Sequence, residues 1–265
     1  MIDYGLTGRA ALVTGGSRGI GRAVAAALLR VGCRVAILSR DAASLGAAQR
    51  ALQDMGAELV AVRGDVAVRD DVRAAVESVI DRFGAIDVLV NNAAIINRDT
   101  LLQLTEDAWD QVMATNVKSL LFACQAVAPS MMRRHWGRII NAASYGAWHP
   151  SHAHGLYAAS KAAVIALTKA WAAELAPYGI HVNAYAPGPI ATDMVAGSPG
   201  TPEDVTRPVA LGRMGRPEEV ADAVAFLASE RASFLTGAVL EISGGKYAVQ
   251  DPWTAWAAAS KPSGS

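Results

Sequence analysis

Residues 11–32 read ALVTGGSRGIGRAVAAALLRVG. ALVT is a short, wholly apolar run, the mark of a strand buried on both faces. A glycine-rich turn follows, and then IGRAVAAALLRVG, whose apolar residues recur at helical spacing. Glycines at 15, 19 and 21 let the backbone turn tightly and approach a ligand closely, and the amino end of the helix they open attracts an anion. Strand, glycine turn and helix in this order is how an open α/β sheet begins and how it holds a pyrophosphate. The spacing is Gly-x-x-x-Gly-x-Gly, not the commoner Gly-x-Gly-x-x-Gly, so a tight turn without a ligand is the alternative.

The same rhythm continues outward from this stretch. Further apolar runs stand at RVAILS (34–39), ELVAVRGDV (58–66), IDVLVNNAA (86–94), RIINAAS (138–144), IHVNAYAP (180–187) and AVLEI (238–242). Helical patterns lie between them: one to about Met55, then 69–83, near 105–115, 117–134, the segment after Tyr157, and 217–228. The pattern predicts a single-domain α/β fold, a Rossmann-type doubly wound sheet of about seven parallel strands with helices on both faces. Residues 1–250 are expected to form this catalytic, dinucleotide-binding domain. Residues 251–265, rich in small residues, form a tail whose end reads as flexible and whose Trp253 and Trp256 are candidates to dock on a neighbour. The segment 193–208, with its glycines and prolines, reads as a mobile lid.

The chain is 52% hydrophobic and 18% charged, with zero formal net charge. That suits a large core and gives no pull toward nucleic acid or an anionic membrane. No basic segment followed by a long apolar one opens the chain, and no run is long enough to span a membrane, so a cytoplasmic protein is expected. Cys33 and Cys124 read as buried, reduced thiols.

Ser144, Tyr157 and Lys161 are the candidates for proton-transfer chemistry, the alternative being that a Tyr-x-x-x-Lys pair alone arises by chance on many helices. Tyr157 and Lys161 stand four apart on a helix and share a face. Ser144 lies at the carboxyl end of the RIINAAS strand, where open α/β sheets place their ligand crevice. A free phenol has a pKa of about 10, and bringing it to about 7 needs roughly 4 kcal/mol. One ammonium about 4 Å away at an effective dielectric of about 20 supplies roughly that. The expectation is that Lys161 lowers the Tyr157 pKa while Ser144 holds the reacting oxygen against the phenol.

At the end of the second strand a carboxylate would bind a ribose 2′-hydroxyl and repel a 2′-phosphate. Here Ser39 and Arg40 occupy that position, Asp41 follows, and Arg18 sits within the glycine turn. Two guanidiniums and a hydroxyl favour NADP(H) over NAD(H). The alternatives are that Asp41 swings in, leaving NAD as cofactor, or that Arg40 is a solvated residue at a helix start.

Taken together, these residues resemble the short-chain dehydrogenase/reductase family over about residues 7–247. TGGSRGIG, with Gly15, Ser17, Arg18, Gly19, Ile20 and Gly21, is similar to its cofactor loop. Asp65-Val66 resembles its adenine-contacting pair, and Asn91-Asn92-Ala93-Ala94 its Asn-Asn-Ala-Gly motif. Pro187-Gly188, with Ile190 and Thr192, resembles the segment that holds the nicotinamide carboxamide. Asn116, Ser144, Tyr157 and Lys161 match its catalytic tetrad. The resemblance implies that Tyr157 moves the proton, that Lys161 also binds the nicotinamide ribose, that Ser144 orients the substrate oxygen and that Asn116, at a break between helices, anchors a proton-relaying water. Without the family match, Asn116 reads as a helix cap. Ala94 departs from the family's glycine and is expected to narrow the cofactor path.

The resemblance also implies a small carbonyl or alcohol substrate and a homo-oligomer, tetramer or dimer, paired through the helices of 105–134. INRDTLL (96–102) and MMRRHWGRII (131–140) look most like 3-oxoacyl-[acyl-carrier-protein] reductases. On that reading Arg133, Arg134 and Arg138 meet an acidic carrier protein bearing the acyl group; alternatively they are a basic helix end that suits the helix dipole. Sugar, polyol and other secondary-alcohol dehydrogenases share these segments loosely, and a non-catalytic cofactor-binding scaffold is the remote alternative. The loop 145–156 should wall the substrate pocket, with Trp148 and His154 as candidate contacts. His149, His152 and His154 match no metal-ligand spacing, so no metal is expected.

Overall fold

A computed structural model describes residues 3–196, 201–246 and 248–259. Of the predicted lid, residues 197–200 lie outside the described residues, as do residues 260–265 of the predicted tail. The seven strands are β1 (Ala10–Thr14), β2 (Arg34–Ser39), β3 (Leu59–Arg63), β4 (Val88–Asn91), β5 (Gly137–Ala142), β6 (Ile180–Pro187) and β7 (Val239–Ile242). They form one sheet in the order β3-β2-β1-β4-β5-β6-β7, every pairing parallel. The helices are α1 (Gly19–Arg30), α2 (Ala42–Leu52), α3 (Arg69–Phe83), α4 (Glu106–Met113), α5 (Ser119–Arg134), α6 (Gly155–Leu175), α7 (Asp193–Ala196), α8 (Pro202–Thr206), α9 (Pro217–Ala228) and α10 (Trp253–Ala259).

Alternation along each strand explains the two covered faces. Val13 and Ile37 point to one side, where they meet Val24 and Leu28 of α1 and Val220 and Val224 of α9. Leu12 and Leu38 point to the other, against Val72 and Val76 of α3 and Val127 of α5. Because both faces are buried, the strands need apolar residues at consecutive positions, which is why they appear in the sequence as unbroken runs.

The strand order reverses between β1 and β4, and a doubly wound sheet opens its ligand crevice at such a switch point. Around it, buried amides knit the strands together. Asn92 donates to the Thr14 and Gly15 carbonyls at 2.9 and 3.2 Å and accepts from the Tyr185 hydroxyl at 2.9 Å. Asn91 donates to Asn141 at 2.9 Å, and Asn141 to Thr168 at 3.0 Å.

Three expectations change at this level. Arg138 is not on the surface and Arg134, though exposed, is already paired: Arg134 meets buried Asp87 and donates to the Ile86 carbonyl at 2.8 Å, while Arg138, itself buried, reaches Glu230 at 3.5 Å. Of the three arginines only Arg133 lacks such an internal pairing among the described contacts. No break separates α4 from α5, because Ala114–Lys118 form a widened π-helical turn that joins them. Trp253 and Trp256 of α10 dock on their own chain. Trp256 donates to the Ala210 carbonyl at 2.9 Å, and the Arg207 guanidinium lies 5.8 Å from the centre of the Trp253 ring.

Candidate active site

A cavity of about 820 Å³ runs along the carboxyl ends of the strands, from the glycine turn to Tyr157. At its first end the turn after β1 is tightly built. Gly15 and Gly19 have positive φ of 63° and 52°, a region open to glycine and costly to other residues. A Cβ on Gly21 would lie 2.2 Å from the Gly15 carbonyl oxygen, so no side chain fits there. Arg18 precedes α1 in extended conformation, and no side chain caps the first turn of the helix. Thr192 packs across this turn, its Cγ2 3.3 Å from where a Gly19 Cβ would stand.

At the end of β2 the hydroxyls of Ser17, Ser39 and Ser44 form a chain, at 3.1 Å between Ser17 and Ser39 and 3.2 Å between Ser44 and Ser17. Asp41 does not swing in. It caps α2, accepting from the Ser44 backbone N–H at 2.8 Å, and these Ser44 hydrogen bonds hold its carboxyl below the usual range. Arg40 is solvated yet lies 3.6 Å from Asp65 on the same cavity wall. Ala94 lines the cavity without a positive φ, so its methyl group costs no backbone strain.

Ser144, Tyr157 and Lys161 meet at the other end. Ser144 lies two residues beyond β5, and its Oγ accepts from the Gly146 N–H at 3.1 Å. Tyr157 and Lys161 stand one turn apart near the start of α6. Lys161 is buried and donates to the Ala142 carbonyl at 2.6 Å, with Nζ 5.8 Å from the centre of the Tyr157 ring.

The Tyr157 phenol is not lowered in pKa as expected. Burial raises the Tyr157 pKa, only partly offset by a hydrogen bond with Ser144. Lys161 does not reverse this, because burial draws its own pKa down to about 7 and leaves much of it uncharged near neutrality. The simple picture of a full ammonium 4 Å from the phenol omitted the cost of burying that ammonium.

Of the residues assigned from the sequence, Gly15, Ser17, Arg18, Gly19, Ile20, Gly21, Ser39, Arg40, Asp65, Val66, Asn92, Ala93, Pro187, Gly188, Ile190, Thr192 and His154 all line the cavity, as do Ser144, Tyr157 and Lys161. Asn116 and Trp148 do not. Asn116 is fully buried in the π turn; it accepts from the Ile95 N–H at 2.8 Å and donates to the Ile95 carbonyl at 2.9 Å and to Ser160 at 3.0 Å. It is neither a cap nor a cavity wall. Trp148 is 37% exposed and lies away from the cavity. Tyr145 of the expected pocket wall and Met194 and Val205 of the predicted lid segment also line it, as do Arg98 and Lys246, to which the sequence reading gave no role in the site. For Lys246 the available signal was its place directly after a Gly-Gly pair that ends the last strand.

A parallel sheet with a glycine turn at its switch point and a Ser, Tyr and Lys group on the same cavity defines a nicotinamide-type oxidoreductase of the open α/β class. The family model described as Enoyl-(Acyl carrier protein) reductase matches residues 15–246. The 3-oxoacyl-[acyl-carrier-protein] reductase FabG of Staphylococcus epidermidis is 40% identical over 243 residues, 90% of this chain and 99% of that one. Nodulation protein G of Azospirillum brasilense is 40% identical over 237 residues, covering 89% of this chain and 96% of that one. The structure of L-sorbose reductase from Gluconobacter frateurii, complexed with NADPH and L-sorbose, superposes with a TM-score of 0.88 at 30% identity, covering 94% of this chain and all of that one. The chain belongs to the short-chain dehydrogenase/reductase family, and it is an oxidoreductase.

Proposed function

We propose that this chain transfers a hydride between NADP(H) and a ketone or secondary alcohol. The observation that carries the reading is one continuous cavity holding both the glycine turn and the group of Ser144, Tyr157 and Lys161. The glycine turn suits a pyrophosphate, since Gly15 and Gly19 bend the backbone through positive φ on the cavity wall and no side chain caps the first turn of α1 that follows. When bound, the nicotinamide supplies or accepts the hydride. Tyr157 Oη gives its proton to the carbonyl oxygen in reduction, a role suited to a phenol that burial keeps protonated. Ser144 fixes that oxygen beside Tyr157. Lys161 holds the nicotinamide ribose and, while charged, favours the phenolate left behind. Asn116 is a positioning residue that fixes the Ile95 segment of the cavity wall against α6.

The Ser17, Ser39 and Ser44 hydroxyls, with Arg18 and Arg40, support a 2′-phosphate on the adenosine ribose, and the capping role of Asp41 removes the carboxylate that would repel it. On this reading Asp65 and Val66, which line the cavity, contact the adenine. On the same reading Pro187, Gly188, Ile190 and Thr192, also on its wall, hold the carboxamide. Arg40→Asp is expected to move the ratio of kcat/KM for NADPH over NADH at least tenfold toward NADH; an unchanged ratio would refute this reading.

The sequence relatives favour 3-oxoacyl thioesters as substrate, and the L-sorbose reductase neighbour favours sugars. Following NADPH absorbance over ketones, ketoses and 3-oxoacyl thioesters tests both. Tyr157→Phe should reduce turnover at least a hundredfold on whichever substrate is accepted. Equal rates for the variant and the natural chain on every substrate would reject catalysis by this group.

A further inference from the structure

After β7 the chain reverses through Gly244 and Gly245, whose φ values of 63° and 82° are both in the left-handed region. The reversal returns Lys246 to the cavity wall, with Nζ 4.7 Å from the centre of the Tyr145 ring. Tyr145 directly follows Ser144. The next residue, Gly146, lies so close to the reacting group that a Cβ there would stand 3.4 Å from Ser144 Oγ and 3.9 Å from the Tyr157 ring. Lys246 therefore sits at the substrate end.

Three other charged groups there are engaged. Lys161 donates to Ala142, Arg98 donates to the Met194 carbonyl at 2.7 Å, and Asp204 accepts from the Thr201 N–H and hydroxyl at 2.8 and 2.9 Å. Asp193 begins α7 on the same wall. Among the described residues no carboxylate pairs with Lys246. The Tyr145 ring face steadies an ammonium without neutralising it, so the charge remains for a ligand. An alkyl chain offers such a cation nothing and strips water from it. A carboxylate pairs with it through charge-assisted hydrogen bonds.

We propose that Lys246 is a specificity-determining residue that pairs with a carboxylate on the substrate, so that the preferred substrates are oxo acids or the matching hydroxy acids. This rests on the reading of Ser144 and Tyr157 as the reacting end of the cavity.

The test uses a series of oxo acids of increasing length, each beside its methyl ester, with NADPH. The natural chain should prefer the acid over the ester in kcat/KM at one or more lengths. Lys246→Met should cut that acid-to-ester ratio at least tenfold, mainly through KM, and Lys246→Arg should restore most of it. An acid-to-ester ratio equal within twofold in the natural chain and Lys246→Met, at every length, would overturn the proposal while leaving hydride transfer intact. A preference for a phosphorylated ketone over both would overturn the carboxylate assignment. Calorimetric binding of the oxo acid and its ester to the NADPH-loaded protein gives a second readout. If no ketone turns over, hydride transfer fails, and Lys246 is still judged by whether the acid binds tighter and loses that advantage in Lys246→Met.

Discussion

Lys161 shows how a single side chain sets function against stability. The residue is 2% exposed, its ammonium has one carbonyl partner, and burial draws its pKa from 10.5 to about 7. Between those two values the unfolded chain binds a proton that the folded chain does not, so stability rises with pH across this window. Below pH 7 the folded state carries the whole penalty. Lys161→Met, of similar length and uncharged, is therefore expected to be more stable than the natural chain at pH 6. The gain should be a few kcal/mol, at about 1.36 kcal/mol for each pH unit separating the folded and unfolded values. It should shrink toward pH 10. Urea melts at pH 6 and 9 measure it, and a variant less stable at pH 6 would mean that the buried charge is well solvated by its surroundings. Gly21 is a second case at this scale. Gly21→Ala would push a methyl group into the Gly15 carbonyl and the Asn92 amide, at 2.2 and 2.5 Å. Overpacking of this kind typically costs about 1–3 kcal/mol, and displacement of the turn should weaken NADPH binding at least tenfold in a fluorescence titration.

Among the elements, the π turn at Ala114–Lys118 ties three parts of the fold together. Asn116 reaches from it to both backbone groups of Ile95 after β4 and to Ser160 on α6, one residue before Lys161. Asn116→Leu keeps the volume and leaves those buried partners unsatisfied, at about 1–3 kcal/mol for each group. It should lower the urea midpoint and reduce kcat more than it raises KM; an unchanged midpoint would deny the clamp. The sequence made the strands plain because a sheet buried on both faces requires continuous apolar runs. β2, α3, β6 and α9 begin and end where the pattern predicts. The π turn was hidden, since it is a shift in backbone hydrogen bonding with no residue signature, and Asn116 therefore read as a break or a cap. The pairing of Arg134 and the burial of Arg138 were not visible because Asp87 and Glu230 are distant in sequence. Trp148 is not among the cavity-lining residues although its neighbours Tyr145, Gly146 and Pro150 are, and the lowered pKa of Lys161 is a property of burial that no local pattern carries. The site residues set by strand ends and glycines were legible, while those set by what surrounds them were not.

Across the whole molecule, the surface before and along α4 is left incomplete. Leu101, Leu102 and Trp109 are 87%, 96% and 46% exposed, and these large apolar side chains fall within one short stretch. These side chains make this segment the candidate interface for the expected homo-oligomer, and a second copy of the same chain is the partner to test because a twofold axis matches a patch to itself. The same segment runs directly into the π turn, so pairing there would brace Asn116 and, through Ser160, the helix that carries Tyr157 and Lys161. Trp109→Glu places a charge in the middle of this surface, where an interface would have to bury it unpaired. Sedimentation velocity is expected to show the natural chain as a dimer or tetramer at micromolar concentration and Trp109→Glu in a smaller form, with a lower melting temperature that no longer depends on protein concentration. A natural chain that sediments as a monomer throughout would leave α4 a solvent-facing helix and remove the link between assembly and the site. A variant that dissociates yet keeps full turnover would show that the clamp at Asn116 holds α6 without help from a partner.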